Sequence, residues 1–259
     1  PFLSRKKAEF GVGIARMEDR YFQTNIIDFS ETKHDESTYS IFGGSIVLEG
    51  STLNARQFAT QGSREKMAAQ IFTGTEHFRS GASKVTKDTP EPYKKVQSWL
   101  QVSYQNETYH KVSPKFTLGA YLEAYYSSRN FSNNYTATLM QAGEFTPTAH
   151  SKVTYNEAFR ANQYAGVGAM PIYQLSESFQ LRGEFYGFVP IFPIKKDEYG
   201  QAYYGKAFTK FEYLGEISLV FQLSFGSISA YVNHYSSPSN DWNVGLTLGW
   251  QLFNSRFIE

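Results

Sequence analysis

Residues 116–126 read FTLGAYLEAYY, and this stretch decides the fold. Phe116, Leu118, Ala120, Leu122, Ala124 and Tyr126 alternate with Thr117, Gly119, Tyr121, Glu123 and Tyr125. An extended chain with this pattern has one apolar and one polar face, whereas a helix would scatter both kinds around its circumference. The same period of two recurs in Tyr213, Gly215, Ile217, Leu219, Phe221 and Leu223 against Glu216, Ser218, Gln222 and Ser224. It recurs in Leu181, Gly183, Phe185, Gly187 and Val189 against Gln180, Arg182, Glu184 and Tyr186. Near the end, Val244, Leu246, Leu248, Trp250 and Leu252 oppose Gly245, Thr247, Gly249, Gln251 and Phe253. Weaker versions run from Phe10 toward Ile26, and through Phe42–Leu48, Met67–Thr73, Val96–Tyr104, Ala165–Tyr173 and Ile228–Val232.

Composition says what these strands belong to. Phe and Tyr number 22 and 19 in 259 residues, so much of the apolar content is aromatic, which suits strands and bilayer interfaces. Mean hydropathy is negative and no apolar run approaches the roughly 20 residues of a membrane-spanning helix. A barrel strand averages its hydropathy away by facing lipid and lumen in turn, so alternation is the better guide. The chain is expected to be all-β: an antiparallel transmembrane outer-membrane β-barrel of about ten strands over residues 1–259. With 25 basic against 24 acidic residues, spread without a basic block, nucleic acid is not an expected partner. The absence of cysteine removes thiolate metal sites, disulfides and Cys nucleophiles, and suits export through the periplasm. The chain opens on Pro1 without an initiator Met or a signal peptide, so a fragment of a longer protein is expected.

Connector lengths supply an orientation. They centre on residues 29–37, 53–63, 81–92, 111–115, 132–160, 176–178, 194–211, 224–227 and 236–241. Odd-numbered connectors are mostly the longer, and outer-membrane barrels put long loops outside and tight turns in the periplasm. The long loops are therefore expected to be extracellular and the C-terminus periplasmic, with 53–63 unusually long for a periplasmic turn. No helix is predicted; the stretch 54–70 reads better as a turn and a strand.

Chemistry-bearing patterns are sparse. There is no G-x-S-x-G elbow, P-loop or H-E-x-x-H, and His34, His77, His110, His150 and His234 lack metal-binding spacing, so no catalytic, cofactor or metal site is predicted. The histidines read as solvated or interfacial. Glu49, Glu76, Glu123, Arg182, Glu184 and Glu216 fall on polar faces and are predicted to face the lumen, lining a channel or filling a narrow interior through mutual hydrogen bonds. Tyr21, Phe22, Tyr104, Tyr109, Tyr125, Tyr126, Tyr203, Tyr204, Tyr213, Tyr235 and Trp242 are predicted to form interface girdles. Gly43, Gly44, Gly166, Gly168, Gly245 and Gly249 lie inside strands, where a missing side chain relieves crowding in a bent wall.

The stretch TLNARQFATQG, residues 52–62, followed by the strand from Arg64 to His77, resembles the barrel of the bacterial surface antigen family. That superfamily includes outer-membrane assembly factors and two-partner secretion transporters. Its members place a polar Asn/Asp-Arg stretch and then a Pro-or-Ala-Thr-x-Gly turn between two strands on the periplasmic side. Asn54, Arg56, Thr60 and Gly62 hold those positions here. The stretches DRYFQTN (19–25), FTPT (145–148) and FRANQY (159–164) are similar to the C-terminal barrel of patatin-like phospholipases from Bacteroidetes-type bacteria. The resemblance implies a parent barrel of about sixteen strands, with further strands and a hydrolase domain upstream of Pro1. It transfers no catalytic residue, because neither the patatin Gly-x-Ser-x-Gly nor its Asp-Gly dyad occurs in this sequence. The expected role is to anchor, and to translocate, an N-terminal domain. Expected partners are outer-membrane lipid and lipopolysaccharide, the chain's own N-terminal domain, and a homodimer or larger membrane complex. The alternatives are an outer-membrane hydrolase with a site on the barrel rim, and a passive porin with loop 132–160 folded inward.

Overall fold

Each alternating segment becomes a strand because extended backbone is the conformation that sorts its two kinds of side chain onto two faces. The computed structural model describes residues 5–21, 34–81, 91–132, 135–224, 226–237 and 242–250. The strands are β1 (Arg5–Tyr21), β2 (Asp35–Ser51), β3 (Gly62–Arg79), β4 (Tyr93–Lys111) and β5 (Phe116–Ser127). They continue as β6 (Gln163–Gln174), β7 (Phe179–Pro190), β8 (Glu212–Leu223), β9 (Gly226–Tyr235) and β10 (Trp242–Trp250). All ten form one sheet in chain order, and every neighbouring pair is antiparallel. The all-β, ten-stranded antiparallel architecture predicted from the alternation is therefore the one observed.

The partition of side chains is the reverse of a soluble sheet. Leu118, Leu122, Val167, Phe185, Ile217 and Leu219 are exposed, while Gln180, Arg182, Glu184, Glu216 and Ser218 on the opposite faces of the same strands are buried. A contiguous apolar exterior of this kind marks a surface made for a partner or a bilayer. The sheet curls around its polar face: the turn between β2 and β3 reaches β7, β8 and β9 across separations of 122 to 170 residues. Glycine makes that approach possible, since a Cβ at Gly249 would lie 2.1 Å from the Gln57 side chain.

Strand length is uneven. β1 to β4 have 17 to 19 residues, β5 to β8 have 12 each, and β9 and β10 have 10 and 9. Gln101 of β4 pairs with Ser127, the last residue of β5, so Tyr93–Leu100 rises beyond the neighbouring strand at the long-loop end. Only at the top of that raised part do the outward side chains turn polar, with Glu18, His77, Arg79 and Lys94 above an outward face that stays apolar through Ile14, Phe42, Ile71 and Val96.

Loop 128–162 carries a helix that the sequence reading omits, α1 (Tyr135–Gln141), and a two-residue ribbon, Gly143–Glu144 with Arg160–Ala161. Seven residues with two β-branched threonines give no helical period to read; burial of Ala137, Thr138 and Leu139 supports the turn instead. Loop 191–211 carries a hairpin, Ile194–Lys196 with Ala202–Tyr204. The girdle assignment needs correcting. Tyr21, Tyr109 and Tyr235 are buried on the inner face, and Tyr125 stacks on the inner Tyr164 at 5.4 Å, whereas Tyr126, Tyr203, Tyr204, Tyr213 and Trp242 are exposed. A phenol ring is amphipathic, and inner-face carboxylates supply partners as good as headgroups do. Phe22, the stretch 251–253 and most of the connector at 29–37 lie outside the described residues.

Candidate functional site

The interior is built in three levels, and the chain's own loops fill it. At the long-loop end Glu76 is buried and accepts from the Tyr39 hydroxyl at 3.1 Å, the Tyr93 hydroxyl at 2.8 Å and the Gln97 amide at 2.5 Å. Arg129, just after β5, lies over the rings of Tyr39 and Trp99 at 5.1 and 4.6 Å, and the Gln141 amide of α1 donates to the Tyr39 hydroxyl. Desolvation lowers the Arg129 pKa, an effect opposed by the nearby Tyr39, Glu76 and Asp19. These contacts bind loop 128–162 back to β2 and β4, strands that precede it in the sheet, and not only to β6, the strand that follows it.

At the middle level Phe145, 1% exposed, inserts from the loop among Tyr121, Tyr164, Tyr186 and Phe188, with ring centroids 5.6 to 6.3 Å away. Gly166 leaves the space, because a Cβ there would lie 2.1 Å from the Phe145 ring. Phe159, two residues before the inward Ala161, packs on Phe188 and Tyr235. Glu123 accepts from the hydroxyls of Tyr121 and Tyr164. Arg182, 3% exposed, is the hub: it pairs with Glu184, donates to the Tyr109 hydroxyl at 2.7 Å, and donates to the Ala59 carbonyl at 2.8 Å. Glu216 sits opposite Glu184 in the β7–β8 register and accepts from the Asn233 amide at 3.4 Å.

The third level is the turn 52–61. The Asn54 carboxamide binds the turn together, accepting from the N–H groups of Thr60 at 3.0 Å and Gln61 at 3.1 Å and donating to the Thr60 hydroxyl at 3.0 Å. Gly62 has φ +94°, and a Cβ there would lie 2.2 Å from the Thr52 carbonyl oxygen, so no other residue fits without rearrangement. The tip then folds inward: the Phe58 carbonyl accepts from Gln180 and Gln222, and Gln57 accepts from Ser227. The unusual length of this connector is spent on entering the interior.

Of the six predicted lumen residues, the structure brings Arg182, Glu184 and Glu216 together, gives Glu123 and Glu76 separate tyrosine-rich partners, and leaves Glu49 partly exposed against Arg64 at 2.9 Å. Of the turn residues, Asn54, Thr60 and Gly62 act as described, and Arg56 is exposed with no bond among the described residues. The sequence reading missed the tyrosines as interior donors. Their parity along the strands, which places Tyr109 in line with Gln97 and Trp99 on β4, carries that signal.

His150 departs from the solvated reading. His77, His110 and His234 are on the outward side, but His150 lies inside, tilted against Tyr231 at 5.1 Å. The Asn233 amide donates to its Nδ1 at 2.8 Å and the Tyr235 hydroxyl is 3.1 Å from the same atom, which leaves the ring proton on Nε2. Desolvation pulls the imidazole below its ordinary pKa. Thr154 lies 3.4 Å from the protonated Nε2, and Ser151 donates its hydroxyl to the Thr148 carbonyl, so neither meets a base as a nucleophile requires. Among the described residues no group of three or more His, Asp or Glu is placed to hold a metal ion. No protein-family model and no curated protein sequence matches the chain.

Proposed function

We propose that this chain is wall from an outer-membrane β-barrel of the surface-antigen type, stoppered by its own loop, whose role is to anchor an attached domain at the bacterial surface. The observation that carries the reading is the reversed partition of side chains combined with the inward course of loop 128–162, with Phe145 at the centre of the interior. The outward apolar column from Leu118 to Tyr126 spans nine residues. At about 3.4 Å per residue and a tilt near 40° this is about 23 Å, close to the roughly 25 Å apolar band of such barrels. In lipid the antiparallel ladder satisfies the backbone, and the interior carboxylates meet tyrosines, amides and arginine instead of bulk water. The long loops then lie outside, and the turns at 52–61, 112–115 and 175–178 and the tight connection from β8 to β9 lie in the periplasm. No chemical step is assigned to the chain.

The inward loop also favours a second reading, a channel from which the loop withdraws. Planar-bilayer recording of the full chain and of a variant lacking residues 132–160 separates the two. A stoppered anchor gives a quiet wild type and steady conductance in the deletion. Spontaneous opening of the wild type supports the channel, and failure of the chain to insert overturns both.

A further inference from the structure

Loop 191–211 is folded outward on one side and inward on the other, and the two faces differ in chemistry. Ile194 and Ala202 of its hairpin pack on α1 with Leu139, Ala142 and Tyr135, so this face is closed by the stopper. Lys195 and Tyr203 pair on the opposite face, both exposed. Beyond the hairpin, Phe211 lies over the outward side of the wall, where a Cβ at Gly187 would meet its ring at 3.0 Å and Val167 at 3.9 Å, yet Phe211 is 62% exposed. Between them Phe208 is 69% exposed and holds φ 55°, a left-handed conformation that a bulky residue adopts only under constraint. Its N–H is fixed to the Ile191 carbonyl at 2.9 Å, and the Thr209 hydroxyl donates to the Lys206 carbonyl at 2.9 Å, so the presentation is built and not frayed.

An ordered loop that spends backbone strain to expose an aromatic ring has a use for that ring. Phe211 continues the outward column of Tyr213 and Ile217 past the strand end, toward the level where apolar tails give way to headgroups, and Phe208 is exposed three residues before it. Lys195 and Lys206 are exposed and join no ion pair among the described residues, and the Lys195 stem runs over Gly205, the neighbour of Lys206, 2.9 Å from where a Cβ would be. Lys210 differs, being turned inward to Glu212 at 3.3 Å. We infer that the outward face of loop 191–211 is a binding site for the phosphates of an outer-leaflet phosphorylated glycolipid of the lipopolysaccharide type, with Lys195 and Lys206 meeting phosphate and Phe208 and Phe211 resting in the apolar boundary.

The inference rests on the membrane-barrel reading, and its test is made on full-length chain already inserted in lipid nanodiscs. Bisphosphorylated lipid A, its dephosphorylated counterpart and phosphatidylglycerol are titrated in turn, with retention read by native mass spectrometry. The expected result is preference for bisphosphorylated lipid A over both others. The double variant Lys195→Gln/Lys206→Gln should weaken that binding about thirtyfold, from a factor of about five per interfacial lysine. Phe208→Gly should also weaken it while leaving the unfolding midpoint unchanged or higher, since glycine removes the strain; a purely structural Phe208 would do the reverse. Equal retention of the three lipids, or of wild type and the double variant, overturns the inference and leaves the barrel standing. Failure of the chain to insert overturns both.

Discussion

Replacing Phe145 by alanine should release the stopper without unfolding the wall. The ring is 1% exposed and touches four aromatic rings, three of them on β5, β6 and β7 and one further along β7. Truncation of a phenylalanine so buried costs about 3–5 kcal/mol. Little of this can be recovered by collapse, because Gly166 beside it has no side chain to move in. The loss falls on the docked state of loop 128–162, which Arg129, Gln141, Phe159 and His150 also hold to the wall, and not on the ladder of the ten strands. At about 1.4 kcal/mol per tenfold, the docking equilibrium shifts by between two and four orders of magnitude. Hydrogen exchange at the Phe145 amide, which donates to the Phe159 carbonyl at 2.9 Å, reads local opening directly. The chain has no cysteine, so a spin label at Val153→Cys gives an independent signal from one site. Exchange within about threefold of wild type would refute the reasoning. So would an equal acceleration at strand amides, which would make Phe145 part of the wall.

Three further outcomes follow from the same geometry. Gly62→Ala must place a methyl group against the Thr52 carbonyl at φ +94°, and should lower stability by about 1–3 kcal/mol, read as a fall in the urea midpoint of the refolded chain. Arg182→Met leaves Glu184 buried and unpaired at a cost of about 3–5 kcal/mol, while Arg182→Met/Glu184→Met should recover much of it, so a double-mutant cycle in thermal unfolding shows strong coupling. The lowered pKa of His150 predicts that loop docking is favoured in full above about pH 6.5, the ordinary value, and weakens as pH falls through it toward the depressed one, because the undocked loop binds the proton more readily. The Val153 label should therefore grow more mobile on acidification, and His150→Asn should abolish that component. Glu216, which faces the imidazole across Asn233, is controlled for by Glu216→Gln, while Tyr231 and Tyr235 keep their protons throughout this range.

Most of the wall was legible because its information is local. Alternation over Phe116–Tyr126 and Leu181–Val189 is complete within one strand, and parity alone tells the outward face from the inward one there. Asn54, Thr60 and Gly62 stood out through a family resemblance alone, although the turn they close is local, made of residues six to eleven apart. The stopper was not legible. Phe145 looks like any loop phenylalanine until β5, β6 and β7 are curled around it, and the bonds from Gln57 and Phe58 join residues 122 to 170 positions away. Tyrosine was the other blind spot. Its ring and hydroxyl suit a headgroup level and a carboxylate-lined interior equally, so the inward side of Tyr109 and Tyr235 was legible only in their parity with Trp99 and Asn233, while their partners Arg182 and His150 are hidden by chain distance.

The extra reach of β1 to β4 makes the rim lopsided. Tyr93–Leu100 and its partners extend about 27 Å along the strands past the end of β5, at about 3.3 Å for each of eight residues. One flank thus stands tall, polar only at its top, while the strands from β5 to β10 are short and carry the loops 128–162 and 191–211. On the barrel reading proposed above, a large visitor such as an antibody or a phage fibre would meet loops 128–162 and 191–211 first from the low side. The same sheet thus presents a tall flank and a low one.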